Sequence, residues 1–207
     1  MPYRFDFIIN QPNQPQVVAF SCKLQCVRCE GQTARGARCK RQVCIGTPYC
    51  SAHLKKQMHV TIADSNIPGA GKGLFAYDPD DPDGNEIVFK PGDVIVQYDG
   101  DMLTGDELQR RYGEYTAPYG IQERYGVLYT EDGACRRGAG TLANHKPFSQ
   151  ANAKLSFGTG RKRFQLIAKS NIRNGREIYV SYTRGRQGNQ RYMFNEPTLA
   201  STVSTRR

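Results

Sequence analysis

Six of the seven cysteines in this 207-residue sequence lie within residues 22–50, and a histidine follows them at position 53. Thiolate and imidazole are the ligands that zinc prefers in tetrahedral sites, and the Cys50-x2-His53 pair is short enough to chelate one ion. The segment from Ser21 to about His59 has too few large apolar residues to fold around a core of its own. A bound metal ion supplies the folding free energy that such a segment lacks, so the spacing predicts a structural zinc site.

The stretch from Cys29 to His53 resembles a short Cys3His motif of proteins from large DNA viruses and some eukaryotes. The resemblance implies one set of four zinc ligands: Cys29, Cys39, Cys50 and His53. Three further cysteines then serve a second metal site, substitute for a ligand or remain free: Cys22, Cys26 and Cys44. The basic residues between the cysteines either contact phosphate or form a solvated face.

Four motifs between Val60 and Thr183 combine glycine turns with polar and aromatic side chains. They are Gly71-Lys-Gly73 before an apolar strand, Tyr98-Asp-Gly100, Asn144-His145, and Gly175-Arg-Glu177 continuing to Tyr182. Glycine lets a backbone lie close against a polar ligand, and the adjacent Asn and His offer hydrogen bonds to a zwitterionic one. The glycine turn lacks the Lys-Ser/Thr ending of nucleotide-phosphate loops, which disfavours ATP.

In this order and spacing the four motifs resemble those of the SET-domain protein lysine methyltransferases. The resemblance implies a mainly β fold of small curved sheets, in which a C-terminal segment threads under a preceding loop as a pseudoknot. It also implies S-adenosylmethionine as cofactor and a lysine side chain as the methyl acceptor. A narrow aromatic channel would align the lysine and favour its neutral form, because burial lowers the pKa of an amine.

The resemblance also implies roles for single residues. The Tyr182 hydroxyl, with backbone carbonyls, would orient the lysine amine and contact the methyl group, while Tyr98 lines the channel. The implied cofactor-binding residues are Gly71, Lys72, Gly73, Asn144 and His145.

Two departures from the family pattern support a second hypothesis. These are Thr141-Leu142 and Lys146-Pro147, which stand where the family often has Arg-Phe and Ser-Cys-x-Pro. As a separate difference, no Cys-rich segment follows Tyr182. The alternative is a zinc-dependent nucleic-acid or protein adaptor with a catalytically inactive SET-like scaffold. Binding of S-adenosylmethionine distinguishes the two hypotheses, since a ligand of the native state raises its stability.

Short apolar runs separated by turns predict mostly strands. The predicted strands are Val60–Ala63, Leu74–Ala76, Ile87–Phe89, Val94–Tyr98, Tyr125–Tyr129, Ala153–Phe157, Phe164–Ala168 and Ile178–Ser181. One helix is predicted from Thr104, where Thr104-Gly-Asp-Glu107 has the spacing of a capping box, and Asn174-Gly175 predicts a hairpin-type turn. The predicted organisation is an irregular arm or edge strand over residues 1–20, a zinc module over 21–57, a SET domain over 58–183 and a basic tail over 184–207.

The formal net charge of +10 is unevenly distributed. Residues 1–59 carry 9 basic and 2 acidic groups, residues 60–157 carry 9 and 15, and residues 158–207 carry 11 and 2. An acidic middle suits a basic substrate such as a histone tail, whereas the basic flanks suit nucleic acid. With no apolar run of about 18 residues and no apolar core of a secretory signal near its start, we expect an intracellular protein without a membrane span, nuclear or host-nuclear. In a reducing compartment the cysteines favour metal over disulfides.

Overall fold

The computed structural model describes residues 3–11, 14–22, 26–43, 47–113, 117, 119–122, 129–158 and 163–182. The predicted basic tail lies outside the described residues, and so does the predicted strand Tyr125–Tyr129 except for its last residue.

Strands dominate the described residues, and the predicted mainly β fold class is confirmed. The strands are β1 (Tyr3–Gln11), β2 (Gln14–Cys22), β3 (Val27–Arg28), β4 (Gln42–Val43), β5 (Val60–Asp64), β6 (Lys72–Ala76), β7 (Ile87–Phe89), β8 (Val94–Gln97), β9 (Asp101–Thr104), β10 (Gly120–Gln122), β11 (Tyr129–Asp132), β12 (Asn144–His145), β13 (Ala153–Gly158), β14 (Arg163–Ala168), β15 (Ile172–Arg173) and β16 (Tyr179–Val180). The helices are α1 (Ser51–Met58), α2 (Gly105–Tyr112) and a 3-10 helix (Ala139–Leu142). Within the described ranges, no helix has the length and apolar character needed to cross a membrane.

The strands pair into small sheets of two or three strands. Antiparallel sheets join β1 with β2, β3 with β4, β5 with β6, β7 with β15, β8 and β13 with β14, and β9 and β10 with β11. In contrast, β12 and β16 pair in parallel. The Ile178 N–H donates to the Leu74 carbonyl, and the Lys146 N–H donates to the Val180 carbonyl. The segment that ends at Tyr182 therefore lies between β6 and β12, which brings the predicted motifs together.

Residues 3–22 differ from the expected irregular arm. They form an antiparallel hairpin whose register runs from Tyr3 opposite Cys22 to Gln11 opposite Gln14. The alternation of Phe5, Asp6 and Phe7 is typical of a strand, and the strand alternative is the one that the structure contains.

The hairpin-type turn predicted at Asn174-Gly175 would pair the predicted strands on either side of it, over residues 164–182, and the observed pairing is different. β14 pairs with β8 and β13, whereas β15 pairs with β7 and β16 pairs with β12. The Asn174-Gly175 turn is present, with φ of 73° at Gly175. However, the Asn174 side-chain amide donates to the carbonyls of Asp78 and Asp81, 3.1 and 2.5 Å away. These bonds hold the turn against the loop that contains Asp78 and Asp81, and direct the chain away from a hairpin.

The predicted capping box at the start of α2 is confirmed. The Thr104 hydroxyl accepts a hydrogen bond from the Glu107 N–H at 3.3 Å, and the Thr104 N–H donates to the Glu107 carboxylate at 2.8 Å. These bonds lower the pKa of Glu107. The helix ends at Gly113, where φ is 61°.

Helix α1 was not predicted. It joins the segment that contains the predicted zinc ligands, residues 26–59, which we call the zinc segment, to the main core. Its first flanking residue, Cys50, makes no side-chain capping bond, so the usual sequence signal for a helix start is missing. Leu54, only 2% exposed, packs in one apolar cluster with Val60, Leu74 and Leu166. A fully buried leucine contributes about 2 kcal/mol through burial. The apolar core therefore continues across the predicted boundary between residues 57 and 58.

Candidate metal centre and cofactor site

The four predicted zinc ligands lie together. Their ligand atoms are all within 4.8 Å of one another, and the three cysteines are buried. The Nδ1 atom of His53 is 3.5 Å from the Cys29 sulfur and 3.3 Å from the Cys50 sulfur. In a tetrahedral zinc site, bonds of about 2.3 Å to sulfur and 2.0–2.1 Å to nitrogen separate these atoms by about 3.6 Å. The donor set and its spacing therefore fit one zinc ion held by Cys29, Cys39, Cys50 and His53.

Groups around the cluster fix the orientation of its ligands. The Nε2 atom of His53 is 2.7 Å from the Gln32 carbonyl, which leaves Nδ1 for a metal ion. The Cys29 sulfur accepts hydrogen bonds from the Gly31 and Cys50 N–H groups, at 3.4 and 3.2 Å. A Cβ atom at position 31 would overlap the His53 ring, so this position requires glycine.

The cluster also favours a thiolate. Burial opposes ionisation of Cys50, but hydrogen bonds with the His53 backbone and side chain, and with the other cysteines, outweigh it and lower the pKa of the Cys50 thiol to about 6. A thiol with this pKa is mostly ionised at neutral pH, as a zinc ligand must be. Cys26 is disulfide-bonded and lies outside the cluster, while the side chains of Cys22 and Cys44 lie outside the described residues.

Two arginines hold the cysteine loops together. The Arg28 Nε donates to the Cys39 carbonyl at 2.8 Å, and the Arg38 Nε donates to the Cys29 carbonyl at 3.1 Å. Each guanidinium also donates to the other arginine's carbonyl at 2.8 Å. With the short β3–β4 pair, these bonds place Cys29 and Cys39 opposite the start of α1, which carries Cys50 and His53.

The second site begins at Asn144, which connects two motifs. Its side-chain amide donates to the Lys72 carbonyl at 3.2 Å and to the Glu177 carboxylate at 3.0 Å. Its side-chain carbonyl oxygen has no partner among the residues that the structure describes. Lys72 contributes through its backbone, because its ammonium is solvated and paired with Asp64 at 2.6 Å. Gly71, just before it, has φ of 65°.

Glu177 is the central acceptor of this site, and it was not among the predicted site residues. It is 2% exposed and also accepts hydrogen bonds from the Ser65 hydroxyl, the Asn66 N–H and the Tyr179 hydroxyl, at 2.7, 2.7 and 2.8 Å. Burial opposes ionisation, but these bonds outweigh it and hold the pKa of Glu177 below its ordinary value. A Cβ atom on Gly73 would overlap the carboxylate. The glycine therefore permits the close approach of Glu177.

Tyr182 and His145 lie side by side. The Tyr182 N–H donates to His145 Nδ1 at 3.0 Å, and the ring centroids are 5.1 Å apart. The Tyr182 hydroxyl donates to the Ala143 carbonyl at 2.9 Å, while the residue as a whole is 40% exposed. Burial lowers the pKa of His145, so its imidazole is neutral at pH 7. Tyr182 thus lies partly exposed beside the predicted cofactor residue His145.

Tyr98 packs against the 3-10 helix (Ala139–Leu142) that precedes Asn144. It is 7% exposed, and its hydroxyl donates to the Tyr119 carbonyl at 2.7 Å. A Cβ atom on Gly140 would lie 3.0 Å from the Tyr98 Cα, so the helix packs directly on this residue. Burial, with a smaller effect of the nearby Tyr182, raises the pKa of Tyr98, which is therefore a neutral phenol.

A second buried carboxylate fixes the turn after Tyr98. Glu131, 1% exposed, accepts from the Gly100 N–H at 3.0 Å, the Phe164 N–H at 2.7 Å and the Arg163 guanidinium at 3.2 Å. The sequence does not reveal this role, because a Thr-Glu-Asp run reads as solvent-exposed. Glu177 lies within a predicted motif, directly before the apolar run Ile178–Val180, but the sequence pattern does not show that its carboxylate is buried.

A polar cavity of about 360 Å³ borders Glu177. Its lining is Asn66, Lys146, Gln150, Asn152, Asn171, Ile172, Arg176, Glu177 and Tyr179. None of the seven residues predicted as catalytic or cofactor-binding is in this lining.

Comparison with known proteins agrees with the motifs. Residues 87–183 match the SET domain family. Over 123 residues the chain is 28% identical to N-lysine methyltransferase KMT5A-A of Danio rerio. The aligned region covers 56% of this chain and 33% of that protein. The chain thus spans about a third of the length of this relative.

Similar solved structures include two of the polycomb repressive complex 2. One, ctPRC2 in an autoinhibited conformation bound to S-adenosylmethionine, has a TM-score of 0.46 and 20% identity, and covers 60% of this chain and 15% of that one. Another, ctPRC2 in complex with H3K27me3 and H3K27M, has a TM-score of 0.49 and 17% identity, and the match covers 72% of this chain and 16% of that one.

The family match contains Tyr98, the Asn144-His145 pair and Tyr182, and begins after the glycine turn. The bond from Asn144 to the Lys72 carbonyl joins that turn to the matched residues. The part of the chain that matches the SET domain family, residues 87–183, is thus connected to the glycine turn that precedes it.

Proposed function

We propose that this protein is a protein-lysine N-methyltransferase that uses S-adenosylmethionine and methylates a lysine of a basic protein, with a histone tail as the expected substrate. The observation that carries the proposal is the parallel pairing of β12 with β16. This pairing puts Asn144 and His145 beside Tyr182, and so joins the proposed cofactor residues to the proposed catalytic one. The SET domain over residues 87–183 and the relative named an N-lysine methyltransferase support the same activity.

The residues present fit S-adenosylmethionine. The unpartnered side-chain carbonyl of Asn144 is an acceptor for the α-ammonium group of an amino acid. The backbone of Gly71, Lys72 and Gly73, held by Asn144 and Glu177, lies against the same position. When bound, S-adenosylmethionine would supply a methyl group on a sulfonium, from which a neutral amine can accept the methyl group while the sulfur leaves as a thioether.

The protein's own contribution to methyl transfer is alignment and desolvation. Tyr182, with its hydroxyl on the Ala143 carbonyl, presents fixed oxygen atoms to the lysine amine and the methyl group. Tyr98, a neutral phenol held by Tyr119, lines the channel. In this proposal, burial in the channel shields the lysine amine from water, so the lysine loses its proton more easily than in water.

The Cys3His cluster has a structural role in this proposal. Cys29, Cys39, Cys50 and His53 hold zinc, and the ion supplies folding free energy to a segment without a core of its own. We also propose that the basic segments outside the SET domain contact nucleic acid, and that the protein acts in a nucleus, where histones and DNA occur together.

The test combines cofactor binding with methylation of a panel of histones and nucleosomes, followed by mass spectrometry with labelled S-adenosylmethionine. We expect the cofactor to raise the melting temperature and the label to appear on a lysine. Tyr182→Phe should lower the methylation rate by about a hundredfold while the cofactor affinity changes less than twofold, since it removes one positioned hydroxyl.

Tyr77→Phe is the matched control, because this partly buried tyrosine contacts Lys55 through its ring, which phenylalanine retains. Its rate should equal that of the wild type. No thermal shift at saturating cofactor would contradict the proposal and favour the inactive adaptor. A Tyr182→Phe protein with the wild-type rate would contradict the role of Tyr182.

A further inference from the structure

Four exposed cations of the zinc segment form what we call the basic surface: Arg35, Lys40, Arg41 and Lys56. We infer that this surface binds the phosphate backbone of a double-stranded nucleic acid without reading its sequence. The inference rests on the nucleic-acid part of the proposed function and makes it specific, because it assigns the binding to these residues.

The structure separates these cations from two that serve the fold. Arg28 and Arg38 are each bound to carbonyls of the cysteine loops, at distances of 2.8 to 3.1 Å. The side chains of Arg35, Lys40 and Arg41 form no hydrogen bond or ion pair with the residues that the structure describes. Their charges are therefore free for an external anion, and their removal leaves the cysteine loops intact.

No carboxylate competes effectively for these charges within the segment. Residues 26–59 contain seven basic residues and one acidic residue, Glu30, which gives a net charge of +6. Zinc bound to three thiolates and one neutral imidazole adds −1, because its own charge is +2. The segment remains strongly positive, in contrast to the acidic residues 60–157, and so attracts a polyanion.

The cations lie on adjoining parts of the fold. Arg35 is in the turn where the Thr33 N–H donates to the Ala37 carbonyl, at 2.8 Å. Lys56 is one helical turn beyond His53, whose Nε2 contacts Gln32 in the same loop. The seven residues from Arg35 to Arg41 span at most about 20 Å when extended. Duplex DNA presents a phosphate on each strand about every 3.4 Å along its axis, so several phosphates are within reach.

The side chains that surround the basic surface favour phosphate over other polyanions. Protein interfaces depend on buried aromatic anchors, and single-stranded nucleic acids bind through bases stacked on aromatic rings. Among the described residues of the segment, no phenylalanine, tyrosine or tryptophan side chain is exposed, and Val27 is the one large apolar residue that is, at 49%. Recognition through charge alone, without stacking, is typical of backbone contacts with a duplex.

The experiment measures the affinity of the full-length, zinc-loaded protein for a fluorescent 20-base-pair duplex by anisotropy, at several salt concentrations. A single strand of the same length and a poly-glutamate peptide are the competitors. The test variant is Arg35→Ala/Lys40→Ala/Arg41→Ala. The control is Lys90→Ala/Arg136→Ala/Lys154→Ala, which removes three exposed charges from the SET domain region and leaves the same net charge.

For three lost phosphate contacts, the slope of log K against log salt should become less negative by about 2.7, since each contact contributes about 0.9. Affinity at low salt should fall at least tenfold, whereas the control variant keeps the wild-type slope. An equal loss in both variants would overturn the assignment to the basic surface and leave nucleic-acid binding in place. Poly-glutamate competing as well as the duplex would overturn the choice of nucleic acid, and stronger binding to the single strand would overturn the choice of a duplex. Absence of salt-dependent binding by the wild type would overturn the nucleic-acid part of the proposed function as well.

Discussion

Replacement of Leu54 tests whether the zinc segment and the SET region fold as one unit. Leu54 belongs to α1, directly after the proposed metal ligand His53, yet it is 2% exposed in the core that contains Val60 and Leu74. The Leu54→Ala change removes apolar atoms from this core and leaves all four cysteine and histidine ligands in place. If the two parts are one cooperative unit, the whole protein loses stability.

The expected loss follows from burial. Leucine-to-alanine changes at fully buried positions cost about 2.7–5 kcal/mol, and we take about 3 kcal/mol for Leu54, at the end of a short helix. At about 2.1 cal/mol/K per residue, the unfolding entropy of 207 residues is about 0.43 kcal/mol/K. The ratio gives a decrease in melting temperature of about 7 °C. Lys56→Ala, an exposed change on the same helix, should shift it by about 1 °C or less.

The assay is thermal unfolding of the zinc-loaded protein, measured by near-ultraviolet circular dichroism. The melting temperature is determined in two conditions, without and with S-adenosylmethionine. One transition that moves down by about 7 °C in both conditions is the expected result. Two transitions, with Leu54→Ala lowering only the one that also responds to a chelator, would refute the reasoning. In that case the zinc segment would be an independent module, as its predicted boundary at residue 57 suggests.

Three further predictions concern the carboxylate Glu177, its glycine neighbour and the metal. Gly73→Ala should weaken binding of S-adenosylmethionine at least tenfold in a calorimetric titration, because the new Cβ overlaps the Glu177 carboxylate, whereas Gly105→Ala, with open space around its Cβ, should bind normally. The pKa of Glu177 in the folded protein is below its ordinary value of 4.5. The ionised carboxylate therefore stabilises the fold above pH 4.5, and this stabilisation is lost as the pH falls further. The melting temperature of Glu177→Gln should therefore depend less on pH between 5 and 3 than that of the wild type. Cys39→Ser should release zinc, measured by mass spectrometry of the metal, and lower the melting temperature by more than Leu54→Ala does, since structural zinc contributes several kcal/mol.

The sequence predicts most of what depends on local pattern. Seven of the eight predicted strands are present within about two residues of their expected ends, and the helix at Thr104 begins with the predicted capping box. These features follow from side-chain period and capping chemistry, which neighbouring residues determine. The partners of the strands, in contrast, depend on contacts between distant residues, and the hairpin expected over residues 164–182 is absent for this reason.

The functional residues divide in the same way. Tyr182 and the Asn144-His145 pair are recognisable because their order and spacing carry the family resemblance. Glu177 and Glu131 are not, because their importance comes from backbone N–H groups and side chains brought to them by folding. A carboxylate in a strand has the same sequence appearance whether it is solvated or buried, so only the assembled fold shows which it is.

The burial of some carboxylates also changes how many acidic residues in the middle of the chain, residues 60–157, can attract a basic substrate. Residues 60–157 have 15 acidic and 9 basic residues, but Glu131 and Asp132 are buried and paired with Arg163 and Arg111, at 3.2 and 2.7 Å. Removing Glu131, Asp132 and Arg111 from the count leaves 13 acidic and 8 basic residues, or −5 instead of −6. Attraction of the proposed basic substrate would therefore come mostly from exposed carboxylates, which include Asp80, Asp83 and Glu86, whereas Asp81 in the same loop is buried. Because salt screens exposed charges over about 10 Å at 0.1 M, raising the salt concentration should increase the KM for a basic peptide. The buried pairs should keep the fold unchanged over the same range.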